Sequence, residues 1–159
     1  MTLTDRDGGG KTRSDLRIPL LSEYVRICRK YEKTCVLELK NPMTPQAIAG
    51  IVENIRAEGW LEQVIFISFA HENLVELRRL LPQARLQFLT GDAADEALLA
   101  RLLPWRLDLD IHYPALTQEG LALMHANGVE VNCWTVDDPA DAERLSGWGV
   151  DYITSNILE

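Results

Sequence analysis

Short apolar runs alternate with longer amphipathic segments along this sequence from Ile18 onward. Each run has the length of a strand, and each of the first five is followed by a segment with helical periodicity. The predicted strands are 35–39, 64–69, 85–89, 107–112, 129–136 and 152–154, and the predicted helices are 18–31, 44–58, 72–81, 93–103, 117–127 and 139–148. Strict alternation requires crossover connections, so it predicts an α/β fold with a parallel sheet. Because the runs are almost continuously apolar, they also predict a sheet covered on both faces.

Six strand–helix units can form an open doubly wound sheet or part of a barrel. Neither GxGxxG nor GxxxxGK[ST] follows a strand, and the glycine cluster at residues 8–10 precedes all of the strands. The motifs of nucleotide-binding loops are therefore absent.

Gly59, Gly128 and Gly149 directly follow predicted helices, which is typical of helix C-caps. Residues 1–17 are predicted to be an irregular, Gly-rich lead-in, and residues 18–159 to be one domain.

The charge balance and the cysteines limit the partners and the compartment. The net charge is -8 at pH 7, and an acidic surface repels nucleic acid, so we expect no nucleic-acid partner. No apolar run has the length of a membrane span, and no apolar leader follows Met1. Cys28, Cys35 and Cys133 lack the spacing of a metal site or a disulfide framework. They predict reduced structural thiols and a cytoplasmic protein.

Polar residues at the carboxyl ends of the strands are the candidate site residues, because parallel α/β proteins place their chemistry there. Glu38 and Lys40 lie two residues apart on the first strand and therefore on the same face. The carboxylate is a ligand for a hard cation, and the ammonium group can hold a phosphate oxygen. An ion pair that closes the rim of the sheet is the alternative interpretation.

The later strands add further candidates. Asp110 and His112 share a face of the fourth strand, which permits an oriented imidazole in the site. Trp134 can pack against the apolar side of a small ligand, or it can be a core tryptophan with its N–H group satisfied. His71 follows the second strand and is either a site residue or a surface histidine at a helix start. The Asp137-Asp138-Pro139 segment can bind a cation, but it is also typical of a helix N-terminus.

Several of these segments together resemble the glycerophosphodiester phosphodiesterases. The helix entry at residues 18–24 is similar to the family's IPTLEEVL segment, and Val36-Leu37-Glu38-Leu39-Lys40 is similar to its IEIK strand. The other matching segments are Ile67-Ser68-Phe69 (SSF), Asp110-Ile111-His112 (IHLN), residues 132–139 (NxWTVNDP) and residues 149–156 (GVDxIITD). The resemblance runs from Ile18 to the end of the sequence and implies a TIM-type (β/α) barrel.

The resemblance also implies an activity, which is the hydrolysis of a glycerophosphodiester to glycerol 3-phosphate and an alcohol, a step of lipid metabolism. The family uses a divalent cation, either Ca²⁺ or Mg²⁺. By its match to the motifs, Glu38 is expected to be one of three metal-binding carboxylates. Lys40 is expected to contact the phosphate and Trp134 the glycerol, and His112 is a further candidate for substrate binding.

The family's HRG, ExD and HD elements, which supply both catalytic histidines and two metal carboxylates, are absent from this sequence. The six strands would then be the last six of a barrel's eight, and cation binding is expected to be weak or absent. Three interpretations follow. The chain is a truncated, inert part of a diesterase, a shortened pseudo-enzyme that binds glycerophosphate or a partner protein, or an enzyme with a site rebuilt from Glu38, Lys40, His71 and His112. In each case the open barrel edges predict self-association or element swapping.

Overall fold

The computed structural model describes residues 17–157, so residues 1–16 of the predicted lead-in, and residues 158 and 159, lie outside the described residues. The helices are α1 (Leu21–Lys30), α2 (Pro45–Ala57), α3 (His71–Leu80), α4 (Glu96–Leu102), α5 (Gln118–Ala126) and α6 (Pro139–Trp148). The strands are β1 (Cys35–Glu38), β2 (Val64–Ser68), β3 (Arg85–Thr90), β4 (Asp108–His112), β5 (Val131–Trp134) and β6 (Tyr152–Ile153). Every predicted strand and helix is therefore present.

The strands form a single parallel sheet in the order β1-β2-β3-β4-β5-β6, which is the order of the chain. A doubly wound sheet reverses its strand order at a switch point, and this sheet does not. Each right-handed crossover therefore advances in the same direction and places its helix on the same face of the sheet. This arrangement is that of a barrel wall, and it decides between the two architectures that the sequence left open.

One hydrophobic core joins the sheet to its helices. The strand residues Phe66, Leu86 and Leu109 are fully buried and belong to the same cluster as Ile55 and Met124 of the helices. Ile65 and Leu89 are also buried, but they point to the opposite, concave face and lie outside this cluster. The burial of apolar side chains between the strands and helices is the main stabilising contribution to this fold.

The concave face of the sheet is covered by no helix within residues 17–157. Val36 is 46% exposed and Phe69 is 50% exposed, although both are large apolar residues at or beside strands. The prediction of a sheet covered on both faces is therefore wrong for the described residues. Apolar runs do not distinguish a sheet covered by helices on both faces from the wall of a barrel, because the helix-facing core and the interior of a barrel both select apolar side chains. The described chain thus forms an open trough, with β1 and β6 at its two edges.

The caps explain where the helices begin and end. Gly59, Gly128 and Gly149 adopt φ values of 67°, 73° and 90°, as the C-cap prediction requires. Helix α4 begins at Glu96 rather than at residue 93, because the Asp95 side chain accepts a hydrogen bond of 2.9 Å from the N–H of Leu98. An aspartate that caps a helix start fixes that start more strongly than apolar periodicity does.

Among residues 17–157, no helix is both long enough and apolar enough to cross a membrane.

Gly120 gives a test of the packing between α5 and the residues that precede α4. A Cβ atom at this position would lie 2.6 Å from the carbonyl oxygen of Ala94 and 2.9 Å from its Cβ. We expect Gly120→Ala to lower the free energy of unfolding by about 1–3 kcal/mol, because backbone atoms must move to relieve the clash. Urea unfolding followed by circular dichroism measures this change.

Gly50 within α2 is the matched control, because no atom lies within 4 Å of the position of its Cβ. Gly50→Ala is expected to raise the free energy of unfolding by about 0.5–1 kcal/mol, through helix propensity alone. Equal effects of the two substitutions would contradict the close contact at Gly120.

Candidate functional site

The concave face carries polar residues at successive strand ends. In the parallel register Glu38 lies beside Ile67, and His112 lies beside Trp134, with alternate positions of each strand on the same face. The strand alternation therefore brings most of the predicted site residues to one side of the sheet. The polar residues on this face near the carboxyl ends are Glu38, Lys40, Gln87, Asp110, His112, Asn132 and Thr154.

Four of these residues, Glu38, Lys40, Asp110 and Thr154, line a groove of about 400 Å³. It is lined by Val36, Glu38, Lys40, Ile67, Phe69, Leu89, Asp110, Trp134, Thr135 and Thr154. A hollow of about 200 Å³ lies at the opposite ends of the strands, against Leu61, Pro82 and Arg85. The groove is the stronger candidate site, because it lies at the carboxyl ends of the strands and carries charged residues from two of them.

Glu38 and Lys40 form an ion pair inside the groove. The Lys40 Nζ atom lies 3.6 Å from Oε2 of Glu38, and the two side chains are 77% and 28% exposed. A pair this exposed contributes little to stability, so the ammonium group of Lys40 can turn toward a ligand at low cost. The ion-pair interpretation and the ligand-binding interpretation of these two residues are therefore compatible.

Asp110 is the most unusual polar residue of the groove. It is 2% exposed, and its Oδ1 atom has no hydrogen-bond partner in the part of the chain that the structure describes. Burial and, to a smaller extent, the nearby negative charge of Glu38 raise the pKa of its carboxyl group to about 7, against a hydrogen bond with Asn132 that lowers this pKa. Two carboxylates from β1 and β4 thus influence each other across the groove.

Trp134 forms the aromatic wall of the groove. Its Nε1–H group donates a hydrogen bond of 3.1 Å to the carbonyl oxygen of Asp110, so the indole is held in place. Phe69 packs edge-to-face against it at a centroid distance of 5.7 Å, and His112 lies tilted against it at 4.9 Å. The N–H group is satisfied, as in the core-tryptophan interpretation, while the ring still faces the groove.

The histidines do not converge on the groove. Nε2 of His71 lies 3.2 Å from the carbonyl oxygen of Arg101, and its ring packs on Phe88, which faces the helices. His125 pairs with Asp151 before β6, at the opposite end of the sheet. His112 is exposed beside Trp134. The hypothesis of a site rebuilt with His71 is therefore wrong, because His71 lies on the helix side of the sheet.

Asp137 and Asp138 have structural partners. Asp138 is the N-cap of α6 and accepts hydrogen bonds from the N–H groups of Ala140 and Asp141. Asp137 accepts hydrogen bonds from Ser155 and from Asn156, which lower its pKa. The helix-start interpretation of this segment is confirmed for Asp138. Within residues 17–157 there is no group of three or more His, Cys, Asp or Glu side chains that could hold a metal ion.

A buried hydrogen-bond network, which we call the Ser68–Asn73 latch, holds the segment that carries Lys40. Ser68 Oγ donates to the carbonyl oxygen of Leu39 at 2.6 Å, and Asn73 Nδ2 donates to that of Asn41 at 2.9 Å. Asn73 Oδ1 accepts a hydrogen bond from the N–H group of Met43. Sequence patterns do not predict this network, since Asn73 beside the apolar face of α3 is the one signal for it.

A family model described as the glycerophosphoryl diester phosphodiesterase family matches residues 10–158. The chain is 27% identical to the uncharacterized protein YqiK of Bacillus subtilis, over 96% of this chain and 64% of that protein. It is also 27% identical to a glycerophosphodiester phosphodiesterase of the same organism, over 89% of this chain and 52% of the relative. The chain therefore spans between about half and two thirds of the length of these relatives.

Solved structures show the same relationship. A phosphodiesterase from Oleispira antarctica, whose structure is a complex with the product sn-glycerol-3-phosphate, is 26% identical and superimposes with a TM-score of 0.78. The superposition covers 87% of this chain and 57% of that protein. The six parallel strands thus correspond to a part of a TIM-type barrel, as predicted.

The raised pKa of Asp110 predicts the pH dependence of stability. The folded protein holds this proton up to about pH 7, whereas the ordinary pKa of an aspartate is 3.8. The stabilising contribution is therefore complete below about pH 4 and is lost as the pH rises through about 7. The free energies of unfolding of Asp110→Asn and of the unsubstituted chain are compared in EDTA. We expect the stabilisation by Asp110→Asn to be about 2–4 kcal/mol larger at pH 8 than at pH 4.

Urea unfolding across this pH range measures the difference. Glu62→Gln is the control, since it makes the same change in net charge at an exposed position away from the groove. A free-energy difference between Asp110→Asn and the unsubstituted chain that does not vary with pH would contradict the buried, protonated carboxyl group.

Proposed function

Since the chain belongs to the glycerophosphoryl diester phosphodiesterase family, we propose that its groove binds the glycerophosphate end of a glycerophosphodiester. The observation that carries this proposal is the position of Lys40, Glu38 and the Trp134 indole in one groove at the carboxyl ends of the strands. The glycerol 3-phosphate complex of the Oleispira phosphodiesterase supports the class of ligand.

Each part of such a ligand has a partner in the groove. The exposed ammonium group of Lys40 supplies a positive charge for the phosphate oxygens, and it is the one basic group in the lining of the groove. Trp134 and Phe69 present apolar surface to the carbon atoms of glycerol. The hydroxyl group of Thr154, held by Asn132 at 3.2 Å, can exchange a hydrogen bond with a glycerol hydroxyl.

We propose further that residues 17–157 bind this ligand without hydrolysing it. Hydrolysis of the diester needs a general base and a general acid within reach of the reacting atoms. Of the three histidines of the sequence only His112 lies near the groove, and the chain lacks the family's HRG, ExD and HD elements. This arrangement favours an inert part of a diesterase, and the second candidate is a pseudo-enzyme that acts as a glycerophosphate-binding or protein-interaction module.

The divalent cation that the family uses would be held through Glu38, the one carboxylate that matches the family motif. A cation there would neutralise charge on the phosphate oxygens.

The reduced, buried thiols of Cys28, Cys35 and Cys133 support the proposal of a cytoplasmic protein.

Binding of glycerol 3-phosphate tests the proposed function. We expect Lys40→Ala to weaken binding about 10-fold, because a charge-assisted hydrogen bond to a phosphate oxygen contributes about 1.5–3 kcal/mol. Isothermal titration calorimetry in EDTA measures the affinity without any contribution from a cation. Lys33→Ala is the matched control, since Lys33 is exposed before the amino end of β1. Equal affinities of the two variants would contradict the assignment of Lys40.

Turnover separates binding from catalysis. We expect no release of glycerol 3-phosphate from glycerophosphocholine in the presence of Mg²⁺ or Ca²⁺, since His112 is the one histidine near the groove and the sequence lacks the elements that carry the family's two catalytic histidines. Release that depends on metal and is abolished by Glu38→Ala would show an active enzyme and would overturn the inert interpretation.

The open edges support a second, independent proposal, which is self-association or element swapping. Within the described residues β1 pairs with no strand other than β2, and β6 pairs with none other than β5, although the Tyr24 side chain hydrogen-bonds to the backbone of Val36 on the outer edge of β1. Unpaired strand edges invite pairing with another chain. We expect light scattering to give a molar mass above that of one chain.

Val36→Lys should shift this mass toward the monomer, because a lysine on an edge strand opposes pairing. Ile27→Lys is the control, since Ile27 is exposed and belongs to α1 rather than to an edge strand. A monomeric unsubstituted chain with cooperative melting would contradict self-association.

A further inference from the structure

The two side chains of the Ser68–Asn73 latch are buried, and each of their polar atoms has a hydrogen-bond partner. Asn73 Nδ2 donates to the carbonyl oxygen of Asn41 at 2.9 Å and to Ser68 Oγ at 3.2 Å. Asn73 Oδ1 accepts a hydrogen bond of 2.9 Å from the N–H group of Met43. Ser68 Oγ in turn donates to the carbonyl oxygen of Leu39 at 2.6 Å. A buried network whose members are all satisfied is rigid and specifies one arrangement of the backbone around it.

The latch holds the backbone on both sides of two residues that line the groove. The carbonyl groups directly before and directly after Lys40 both accept hydrogen bonds from the latch. Ser68 directly precedes Phe69, and the N–H group of Ala70, directly after Phe69, donates a hydrogen bond of 3.1 Å to Ser68 Oγ. One network therefore encloses the backbone of Lys40 after β1 and that of Phe69 after β2.

Lys40 and Phe69 present different chemistry to the same groove. Lys40 carries the positive charge, whereas Phe69 packs edge-to-face on Trp134 and forms apolar surface with it. The ion pair between Lys40 and Glu38, at 3.6 Å, is exposed and therefore weak, so it does not fix the ammonium group by itself. The place of the ammonium group relative to the aromatic wall is thus set mainly by the backbone that the latch holds.

We infer that Ser68 and Asn73 are positioning residues, which set the spacing between Lys40 and Phe69 and thereby select a ligand that carries both a phosphate and a short carbon chain. The inference rests on the proposed function, in which Lys40 meets the phosphate oxygens and Phe69 the carbon atoms of glycerol. It adds the origin of the selectivity, which lies in two neutral side chains outside the lining of the groove.

The selectivity follows from the need to meet two groups at once. A second contact adds to affinity only when the spacing of the two protein groups matches that of the ligand. Glycerol 3-phosphate has both an anionic and a carbon part, so it depends on this spacing. Inorganic phosphate has the anionic part alone and can follow the Lys40 ammonium group wherever it lies. A change in the latch should therefore affect the first ligand much more than the second.

The affinities of the full chain for glycerol 3-phosphate and for inorganic phosphate test the inference. NMR titration of the isotope-labelled chain in EDTA measures both. We expect Asn73→Ala to weaken the binding of glycerol 3-phosphate about 10-fold, and that of inorganic phosphate about 2-fold or less. Ser68→Ala should change the two affinities in the same directions. It is the milder variant, since it removes a single oxygen atom, and it decides the question where Asn73→Ala does not fold.

Asn127→Ala is the matched control for the loss of a side-chain amide. Asn127 Nδ2 donates a hydrogen bond of 2.9 Å to the carbonyl oxygen of Leu123, at the C-terminal end of α5 and outside the lining of the groove. We expect Asn127→Ala to leave both affinities unchanged. A network that only stabilised the fold would change the affinities for the two ligands by the same factor.

Amide hydrogen exchange without ligand tests the latch separately. The N–H group of Met43 is bonded to Asn73, and that of Ala70 to Ser68. Because one network holds both segments, we expect Ser68→Ala to speed exchange at Met43 as well as at Ala70, by about 10-fold or more. Faster exchange at Ala70 alone would show two independent contacts and would overturn the inference.

The outcomes separate the latch from the proposed function. Equal losses of affinity for the two ligands, or no loss of affinity for glycerol 3-phosphate in Ser68→Ala, would overturn the positioning role of the latch. An unsubstituted chain that does not bind glycerol 3-phosphate would contradict the proposed function instead. Hydrogen exchange at Met43 and Ala70 would still decide whether one network joins the two segments.

Discussion

The structure depends on the burial of one face of its parallel sheet. Residues such as Phe66, Leu109 and Val131 point toward the helices and are completely buried, whereas the alternate positions of the same strands point into the trough. Because successive side chains of a strand face opposite ways, the stabilising core and the polar groove are built from the same six strands without competing for positions. The helix face supplies the stability, and the concave face is thereby free to carry groups that are costly to bury.

Several polar side chains of the concave face are buried, which is costly in free energy. Gln87, Asp110 and Asn132 are nearly inaccessible to solvent, and the buried carboxyl group of Asp110 is destabilising when it is ionised. Side chains with such environments are concentrated at functional sites.

Much of the fold could be predicted from the sequence, because apolar periodicity and helix caps are local signals. All six strands followed from the alternation, whereas their order followed from the resemblance to a barrel family. The places of Glu38, Lys40 and Trp134 in the groove followed from their positions at strand ends and from the family motifs. Asp110 was noticed only as a neighbour of His112. Its missing hydrogen-bond partner depends on the curvature of the sheet, which no spacing encodes. His71 remained either a site residue or a histidine at a helix start, because a residue just after a strand can turn to either side of the sheet, and in the structure it begins α3.

The Ser68–Asn73 latch links two neighbouring strand–helix units through buried hydrogen bonds to the backbone after β1. The chain segment from Leu39 to Met43 is thereby held in place by Ser68 and Asn73, which are not part of the lining of the groove. Much of the conformational entropy of this segment is lost during folding, so a molecule that enters the groove does not have to order it again. Two neutral side chains, Ser68 of β2 and Asn73 of α3, thus support the backbone that carries the charged Lys40 after the neighbouring strand β1.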